Sequence, residues 1–390
     1  STQIAISSTS STRNTCDRHF AFNFEFRIPN SEFSQYPSPM RIAVLTSGGV
    51  DSSVALMRLV EEGGHDLTAF YLKIWLEDEM AFLGSCPWEE DLEYVSAVCE
   101  SAKVPLKVIS LQQEYLGTVV AYALAELEAG RTPRPDVMCN RMIKFGAFVD
   151  QVGERYDRVA SGHHARIDEW DGRFHLLRGT DRKKDQTYFL CQLLQEQLEK
   201  CLFPIGDLTK IEVREEADRF GLANADRPDS QGICSPGRVP LDDFVRHPLG
   251  DRPGEIRRAS NGEVLGRHRG TWFHTIGQRR GLGLGGGPWY VVGKNLDTDE
   301  ILVAHADELA DYAHHSFRIS TPHWIAGPPQ RSELLVRIRH GERIDPCTVS
   351  ADEDGSLIVE FDLTKDPGIA PGQFAALYDG EECLGGGVIE

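Results

Sequence analysis

The sequence predicts an α/β protein in which a doubly wound parallel sheet is followed by a small central β-rich domain and a C-terminal β-barrel domain. In the first half, short apolar runs alternate with helical patterns, which is typical of βαβ units and a parallel sheet. Beyond about residue 230, short β-like runs lie between glycines and prolines. The predicted domains are residues 40–228, 229–300 and 301–390, after a tail of residues 1–39.

Each predicted element rests on its own hydrophobic pattern. Apolar runs of strand length predict strands, and apolar residues at helical spacing predict helices. The strands of the parallel sheet are predicted at 41–45, 66–72, 106–110 and 158–161, with helices at 54–61 and 89–102. Later strands are predicted at 289–292, 301–303, 334–338 and 357–361.

Composition excludes two classes of protein. The 390 residues carry 41 Lys and Arg against 60 Asp and Glu, a formal charge of −19, so the chain is not a uniformly basic nucleic-acid coat. No run approaches the ~18 apolar residues of a membrane-spanning helix, so we expect no membrane association. Any polyanion must be bound by local basic clusters, which occur at 182–184, 257–258, 267–269 and 279–280.

The nine cysteines indicate a reducing compartment. Their number is odd, their spacing is wide, and no two form a C-x-x-C pair, which argues against both a zinc ribbon and a disulfide-rich secreted scaffold. We therefore predict no metal site. A single cysteine in such a chain is most often a small buried apolar residue.

The N-terminal tail differs in composition from the rest. Residues 1–16 are rich in Ser and Thr and contain no acidic residue, which is typical of an organellar transit peptide for a chloroplast or mitochondrion. A tail without a targeting role, in a cytoplasmic protein, is the alternative.

A glycine-containing loop carries the first chemical signal. The segment SGGVDSS at 47–53 lies between a predicted strand and a predicted helix, where backbone N–H groups and the helix N-terminus form an anion site. An ordinary strand-to-helix turn is the alternative, but SGGxDS directly after an apolar strand resembles the pyrophosphate-type ATP loop. The predicted nucleotide-binding residues here are Leu45, Thr46, Ser47, Gly48, Gly49, Val50, Asp51 and Ser52.

Two cysteines lie in distinctive polar surroundings. Cys139 follows Asp136 by three residues, and nearby cations, among them Lys144, favour the thiolate. Cys234 closes the segment DSQGIC, 95 residues further along the chain.

With these motifs, the chain resembles the tRNA-uridine 2-sulfurtransferases of the MnmA/TrmU family, and the organellar plant and algal branch in particular. The matching segments cover about residues 40–390. They are SGGVDSS (47–53), GRTPRPDVMCNRMIKF (130–145), ASGHHAR (160–166), KDQTYFL (184–190), DSQGIC (229–234), TIGQRRGLGLGGGPWYVV (275–292) and PGQFAALYDGEECLGGG (371–387).

The resemblance implies an ATP-dependent reaction, with Mg²⁺ expected, that replaces the C2 oxygen of the wobble uridine by sulfur. It implies that ATP adenylates this oxygen, that Cys234 carries a persulfide, that Cys139 assists the transfer and that Asp136 acts as general acid or base. Leu72 and Gly162 match positions that line the nucleotide pocket. The implied partners are tRNAs with Lys, Glu and Gln anticodons and an upstream persulfide donor, such as a cysteine desulfurase or a relay protein.

The resemblance also implies contacts to tRNA. They are Arg134, Pro135 and Asp136 near the target base, Lys184, Asp185 and Gln186, and Arg337 and Ile338 in the C-terminal domain. The chain departs from the family at four positions: Arg134 replaces an Asn, His164 replaces a Tyr, Ser235 replaces a common Phe, and Ile338 replaces a Tyr, so that a stacking ring is lost there.

Two other functions are compatible with parts of the sequence. An adenylating ligase of the amidotransferase or NAD-synthetase kind would share the ATP loop but would have no use for Cys139 and Cys234 together. A tRNA-binding protein without activity would not need the intact loop, Asp136 and both cysteines.

Overall fold

A five-stranded parallel sheet forms the centre of the N-terminal half, in a computed structural model that describes residues 39–74, 87–228, 248–362 and 365–390. The strands are β1 (Arg41–Leu45), β2 (Asp66–Lys73), β3 (Leu106–Ser110), β4 (Arg158–Ala160) and β7 (Cys201–Leu202). Their order in the sheet is β3-β2-β1-β4-β7. The order reverses direction between β1 and β4, and ligands bind at the carboxyl ends of strands beside such a switch point.

Both faces of this sheet are buried, as the doubly wound prediction requires. Along β1, Ile42 and Val44 belong to one apolar core, whereas Ala43 and Leu45 belong to the other. Alternate residues of a strand point to opposite faces, so one short strand contributes to both cores.

Helices cover the two faces, and two of them contain π-helical segments. The helix over residues 112–128 consists of Gln112–Tyr115, the π segment Leu116–Val120 and Ala121–Glu128, and we call it α3. The helix over residues 135–152, called α4, consists of Pro135–Cys139, the π segment Asn140–Ala147 and Phe148–Val152. The others are α1 (Val50–Glu62), α2 (Pro87–Ala102), α5 (Thr187–Leu190), α6 (Gln195–Lys200) and α7 (Lys210–Arg219), with 3₁₀ turns at Gly153–Arg155, Thr271–Phe273 and Leu309–Tyr312.

The second half of the chain is built from β-strands. The central strands are β8 (Gly254–Arg258), β9 (Val264–His268), β10 (Trp289–Asn295) and β11 (Glu300–His305). The barrel strands are β12 (Ser316–Trp324), β13 (Glu333–Arg337), β14 (Asp345–Ala351), β15 (Leu357–Phe361), β16 (Phe374–Asp379) and β17 (Glu382–Ile389). The central domain is a four-stranded sheet of order β10-β11-β8-β9, and the six later strands close into a barrel because β12 pairs with both β15 and β17.

A hairpin of the first domain extends the sheet of the barrel. Strands β5 (Ala165–Trp170) and β6 (Arg173–Arg178) pair with each other, and β6 pairs with β17 through Leu176 and Cys383. Tyr188 of α5 and Tyr378 of β16 lie in the same apolar core. The barrel is therefore packed against the N-terminal half of the chain close to α5.

The predicted fold class is confirmed, and several strands match closely. The predictions at 41–45, 106–110 and 357–361 coincide with β1, β3 and β15, whereas the β5–β6 hairpin and the two-residue strand β7 were not predicted. Within the described ranges, no helix has the length and apolar character needed to cross a membrane. The predicted tail lies outside the described residues, except for Pro39.

Candidate active site

The loop between β1 and α1 is held in shape by its own serines. The backbone N–H of Ser47 donates to Ser52 Oγ at 3.1 Å, and Ser52 Oγ donates to the carbonyl of Gly49 at 3.0 Å. Gly48 has a φ of +78°, a conformation that favours glycine. The first N–H groups of α1 have no acceptor within the helix, so the loop presents donors of the kind that bind phosphate.

The residues that flank this loop are buried at the carboxyl ends of their strands. Leu45 ends β1, Leu72 lies near the end of β2, and each is 3% exposed. Thr46 is fixed to the carbonyl of Phe70 through both its backbone N–H and its Oγ1. Val50, the first residue of α1, is buried as well. The predicted nucleotide-binding residues of this segment therefore form one rigid unit.

Two distant residues, not predicted from the sequence, brace the loop from behind. Asn224 Nδ2 donates to the Gly48 carbonyl and to Ser53 Oγ, both at 2.9 Å. Arg227 Nη1 donates to the same Gly48 carbonyl at 3.0 Å and its guanidinium pairs with Asp91. Asn224 is separated from Ser53 by 171 residues, so no local pattern could identify it.

Gly162 presses against the loop from the carboxyl side of β4. A Cβ atom at this position would lie 2.5 Å from the backbone nitrogen of Ser52 and 2.6 Å from the carbonyl carbon of Asp51. Real Cβ contacts are not this short, so only glycine fits without displacement of the loop. The predicted pocket residue Gly162 thus lies directly beside the predicted ATP loop.

Asp51 is the negative group of the loop, and two basic side chains face it. Lys210 Nζ donates to Asp51 Oδ1 at 2.6 Å, and His164 Nε2 lies 3.6 Å from the same oxygen. Burial opposes ionisation, but His164 and Lys210 outweigh it and hold the pKa of Asp51 below its usual range. Lys210 was not predicted from the sequence, and it is placed to bind a phosphate at the rim of the loop.

Helix α4 carries the second group of predicted catalytic residues. Pro135 is its first residue, Asp136 lies in the first turn, and Cys139 is fully buried where the π segment begins. π-Helical segments are rare and often occur at functional sites. Burial raises the pKa of Asp136, although Arg134 and Lys144 partly offset it. A carboxyl group of raised pKa suits proton transfer near neutral pH.

Lys144 is a buried cation of this helix. Burial lowers its pKa to about 8, and the nearby Asp136 partly offsets this effect. Lys144 is also close enough to His163 to help depress the pKa of that ring, which burial lowers most. The Phe145 ring, next to Lys144, lies 6.1 Å from the His163 ring, and His163 follows Gly162 in the chain.

Cys139 forms a disulfide bond. The described cysteines other than Cys139 are free, namely Cys99, Cys191, Cys201, Cys347 and Cys383. Its partner therefore lies outside the described residues. The predicted persulfide carrier Cys234 also lies outside them.

Family comparisons agree with this three-part architecture. The chain matches models of the tRNA methyl transferase HUP domain at residues 40–236, the tRNA methyl transferase PRC-barrel domain at 242–305 and the aminomethyltransferase beta-barrel domain at 314–389. The tRNA-specific 2-thiouridylase MnmA 1 of Bacteroides thetaiotaomicron is 43% identical over 357 residues, which cover 90% of this chain and 99% of that protein. The chain belongs to the MnmA family.

A second relative is also highly similar, whereas a solved structure is only weakly similar. The tRNA-specific 2-thiouridylase MnmA of Shewanella sp. strain MR-4 is 40% identical over 361 residues, covering 90% of this chain and 96% of that MnmA protein. A solved U34-tRNA thiolase NcsA of Methanococcus maripaludis is 17% identical, with a TM-score of 0.33 over 54% of this chain and 65% of the NcsA chain. That score is too low to support an argument about this chain.

The tRNA contacts predicted from the MnmA resemblance are partly buried in this state. Gln186 Oε1 accepts from the backbone N–H of His164 at 2.9 Å, and Lys184 is half-buried. Asp185 and Arg337 are an internal ion pair at 2.9 Å with fully buried side chains, and Ile338 is only 7% exposed. The pair fixes α5 against the barrel, and the role of these residues in tRNA binding stays a prediction.

Replacement of Arg337 by Met is expected to lower the free energy of unfolding by about 3–5 kcal/mol, because it leaves the buried Asp185 carboxylate undercompensated. Urea titration measures the change. Arg331→Met is the matched control, since Arg331 pairs with Asp379 at the barrel surface. Its expected cost is at most about 1 kcal/mol. Equal costs for the two variants would contradict the structural role of Arg337.

Proposed function

We propose that this chain catalyses the ATP-dependent 2-thiolation of the wobble uridine of tRNA. The observation that carries the proposal is the junction of two motifs: Gly162 touches the ATP loop, and His163 lies within electrostatic reach of Lys144 on the helix of Asp136 and Cys139. Nucleotide activation and sulfur chemistry then share one site. The names of the MnmA relatives support tRNA as the substrate.

Activation makes the uracil oxygen a leaving group. The C2 oxygen attacks the α-phosphorus of ATP, pyrophosphate leaves into the loop of residues 47–53, and AMP remains attached to the base. Lys210 would then exchange part of its contact with Asp51 for a phosphate oxygen. Asp136, with its raised pKa, is suited to manage the proton at the uridine ring.

Sulfur transfer then proceeds by attack of one cysteine thiolate on the persulfide of the other cysteine. A donor such as a cysteine desulfurase or a relay protein loads Cys234 with a persulfide. The Cys139 thiolate attacks the Cys234 sulfur, hydrosulfide leaves and attacks C2, and AMP is released. A Cys139–Cys234 disulfide remains, which a dithiol reductant must return to two thiols in each turnover. The disulfide at Cys139 supports this sequence.

Magnesium is proposed to arrive with the nucleotide. Within the described part of the chain, no three His, Cys, Asp or Glu side chains converge as a metal site. Mg²⁺ commonly binds to substrate phosphates with only one or two protein carboxylates. Asp51 is the carboxylate of the loop that fits this role.

The cellular experiment is mass spectrometry of tRNA nucleosides from a deletion strain, separated by compartment. We expect loss of 2-thiouridine from tRNAs with Lys, Glu and Gln anticodons in a chloroplast or mitochondrion, and recovery when the gene is restored. Unchanged 2-thiouridine in every compartment would contradict the proposed function. Loss in the cytoplasm alone would contradict the organellar assignment, which rests on the Ser/Thr-rich tail.

Affinity for tRNA is expected to fall at least about tenfold between 50 and 200 mM salt, because binding to phosphates releases counterions. The basic clusters differ in their capacity for such binding. Arg257 pairs with Glu255 and Glu300, and Arg258 pairs with Glu308. Arg279 and Arg280 are exposed and have no ion pair to a carboxylate among the described residues.

A pair of double variants tests this difference. Replacement of both Arg279 and Arg280 by Ala should reduce the slope of log affinity against log salt by about 2, because each arginine neutralises about one phosphate. The matched variant with Arg257 and Arg258 replaced by Ala should leave the slope unchanged. Filter binding over a salt series measures both. Equal slopes for the two variants would exclude the Arg279–Arg280 cluster as a tRNA-binding site.

A further inference from the structure

Two aromatic side chains stack where the barrel meets the N-terminal half. Phe189 lies on α5, and His340 follows β13 in the barrel. Their ring centroids are 4.7 Å apart and their planes are inclined by 26°. His340 is exposed and Phe189 is half-buried, so the stacked pair reaches the surface.

This pair lies among all three chain segments predicted to contact tRNA. The Arg134 guanidinium is 5.5 Å from the centroid of the Phe189 ring. His340 interacts electrostatically with Arg134, Lys184, Asp185 and Arg337. Residues separated by up to about 200 positions along the chain therefore converge on one aromatic pair.

The charge state of the pair favours stacking. Burial, followed by Arg134, Arg337 and Lys184, lowers the pKa of His340, against the opposing effect of Asp185. The lowered pKa favours the neutral form of the His340 ring. Arg134 Nε is buried and has no hydrogen-bond partner among the described residues.

The pair also provides an aromatic ring close to position 338, where the family pattern has a Tyr. Ile338 stands at the position of a family Tyr, and it is buried rather than presented to a ligand. His340, two residues further on, carries the exposed ring at this edge of the barrel. This surface thus keeps an exposed ring for stacking although position 338 is not aromatic.

We propose that Phe189 and His340 form a stacking platform for an unpaired anticodon-loop base next to the target uridine. Single-stranded RNA is commonly bound by bases stacked on aromatic rings beside cationic side chains. A base next to the target is exposed when the target uridine leaves the anticodon stack. This inference rests on the proposed function, because it takes tRNA as the ligand.

The experiment uses an anticodon stem-loop with 2-aminopurine placed immediately 5′ or immediately 3′ of the target uridine. Binding of the full-length protein should quench one of the two probes. His340→Ala and Phe189→Ala should abolish that quenching and weaken binding at least about fivefold. His340→Phe should retain both properties, and His315→Ala is the control for removal of an exposed barrel histidine.

Two results would overturn the platform. One is wild-type quenching and affinity in both alanine variants. The other is retained quenching with a lower unfolding temperature, which would make the pair only a contact between domains. Formation of 2-thiouridine by the wild-type protein is scored separately, so failure of the proposed function is distinguished from failure of the platform.

Discussion

Cys139→Ser is expected to lower 2-thiouridine formation at least about a thousandfold while AMP transfer to tRNA persists. The reason is that AMP transfer and sulfur transfer depend on different residues of the site. The ATP loop is built from β1, α1 and residues 162, 224 and 227, and none of these contacts requires the thiol. Serine keeps the size of the side chain but cannot form or resolve a disulfide. Nucleoside mass spectrometry and release of pyrophosphate measure the two half-reactions.

Two further variants bracket this result. Cys234→Ser should give the same loss of thiolation with the same persistence of AMP transfer. Cys99→Ser is the matched control, because Cys99 is a free, buried cysteine of α2 whose burial raises its pKa to about 11. Full thiolation by Cys139→Ser or Cys234→Ser would refute the proposed pair.

Gly162→Ala is expected to lower ATP-dependent AMP transfer about a hundredfold, because a new Cβ atom at 2.5 Å from Ser52 N must displace the phosphate loop. Misplacement of reacting groups by about 1 Å costs a factor of this order. Thiolation should fall with it, since sulfur transfer needs the activated base. Pyrophosphate release in the presence of tRNA measures the effect.

Gly117→Ala provides the comparison for this change. Gly117 lies in the π segment of α3, and a Cβ atom there would meet nothing within 4 Å. The variant should keep wild-type activity. Circular dichroism should show that both variants fold. Activity of folded Gly162→Ala within twofold of wild type would contradict the placement of Gly162 against the loop.

Local patterns in adjacent residues predicted several elements of the fold. Strand β1 is an apolar run after Arg41, β15 shows alternating burial, and the loop between β1 and α1 follows from glycines and serines at fixed spacing. Such signals reside in adjacent residues, so a sequence displays them directly. The prediction that Gly162 lines the nucleotide pocket comes instead from the family resemblance.

Contacts between distant residues could not be predicted in this way. Asn224 and Arg227 brace a loop more than 170 positions away, and Lys210 reaches Asp51 across 159 positions. Arginine and aspartate side chains usually lie on the protein surface. Arg337 and Asp185 form an internal pair only because the barrel packs on α5. Charged side chains are rarely fully buried unless they are paired, so sequence alone favours an exposed position for each.

The ligase alternative makes a different use of the same loop. An amidotransferase would activate a carboxyl group or a similar oxygen and would not need a thiol near it. In this chain Cys139 is fully buried three residues after Asp136, on the helix whose Phe145 ring lies 6.1 Å from the His163 ring. The MnmA relatives and this arrangement together favour sulfur transfer over ligation.

The central claim is that ATP activation and sulfur transfer act on the same uridine. A single turnover with purified protein, tRNA transcript, ATP and a persulfide donor tests it most directly, with AMP and 2-thiouridine quantified in the same sample. We predict equal amounts of the two products, and no 2-thiouridine when ATP is omitted. Formation of 2-thiouridine without ATP, or release of AMP by the reduced wild-type protein without any 2-thiouridine, would contradict the account.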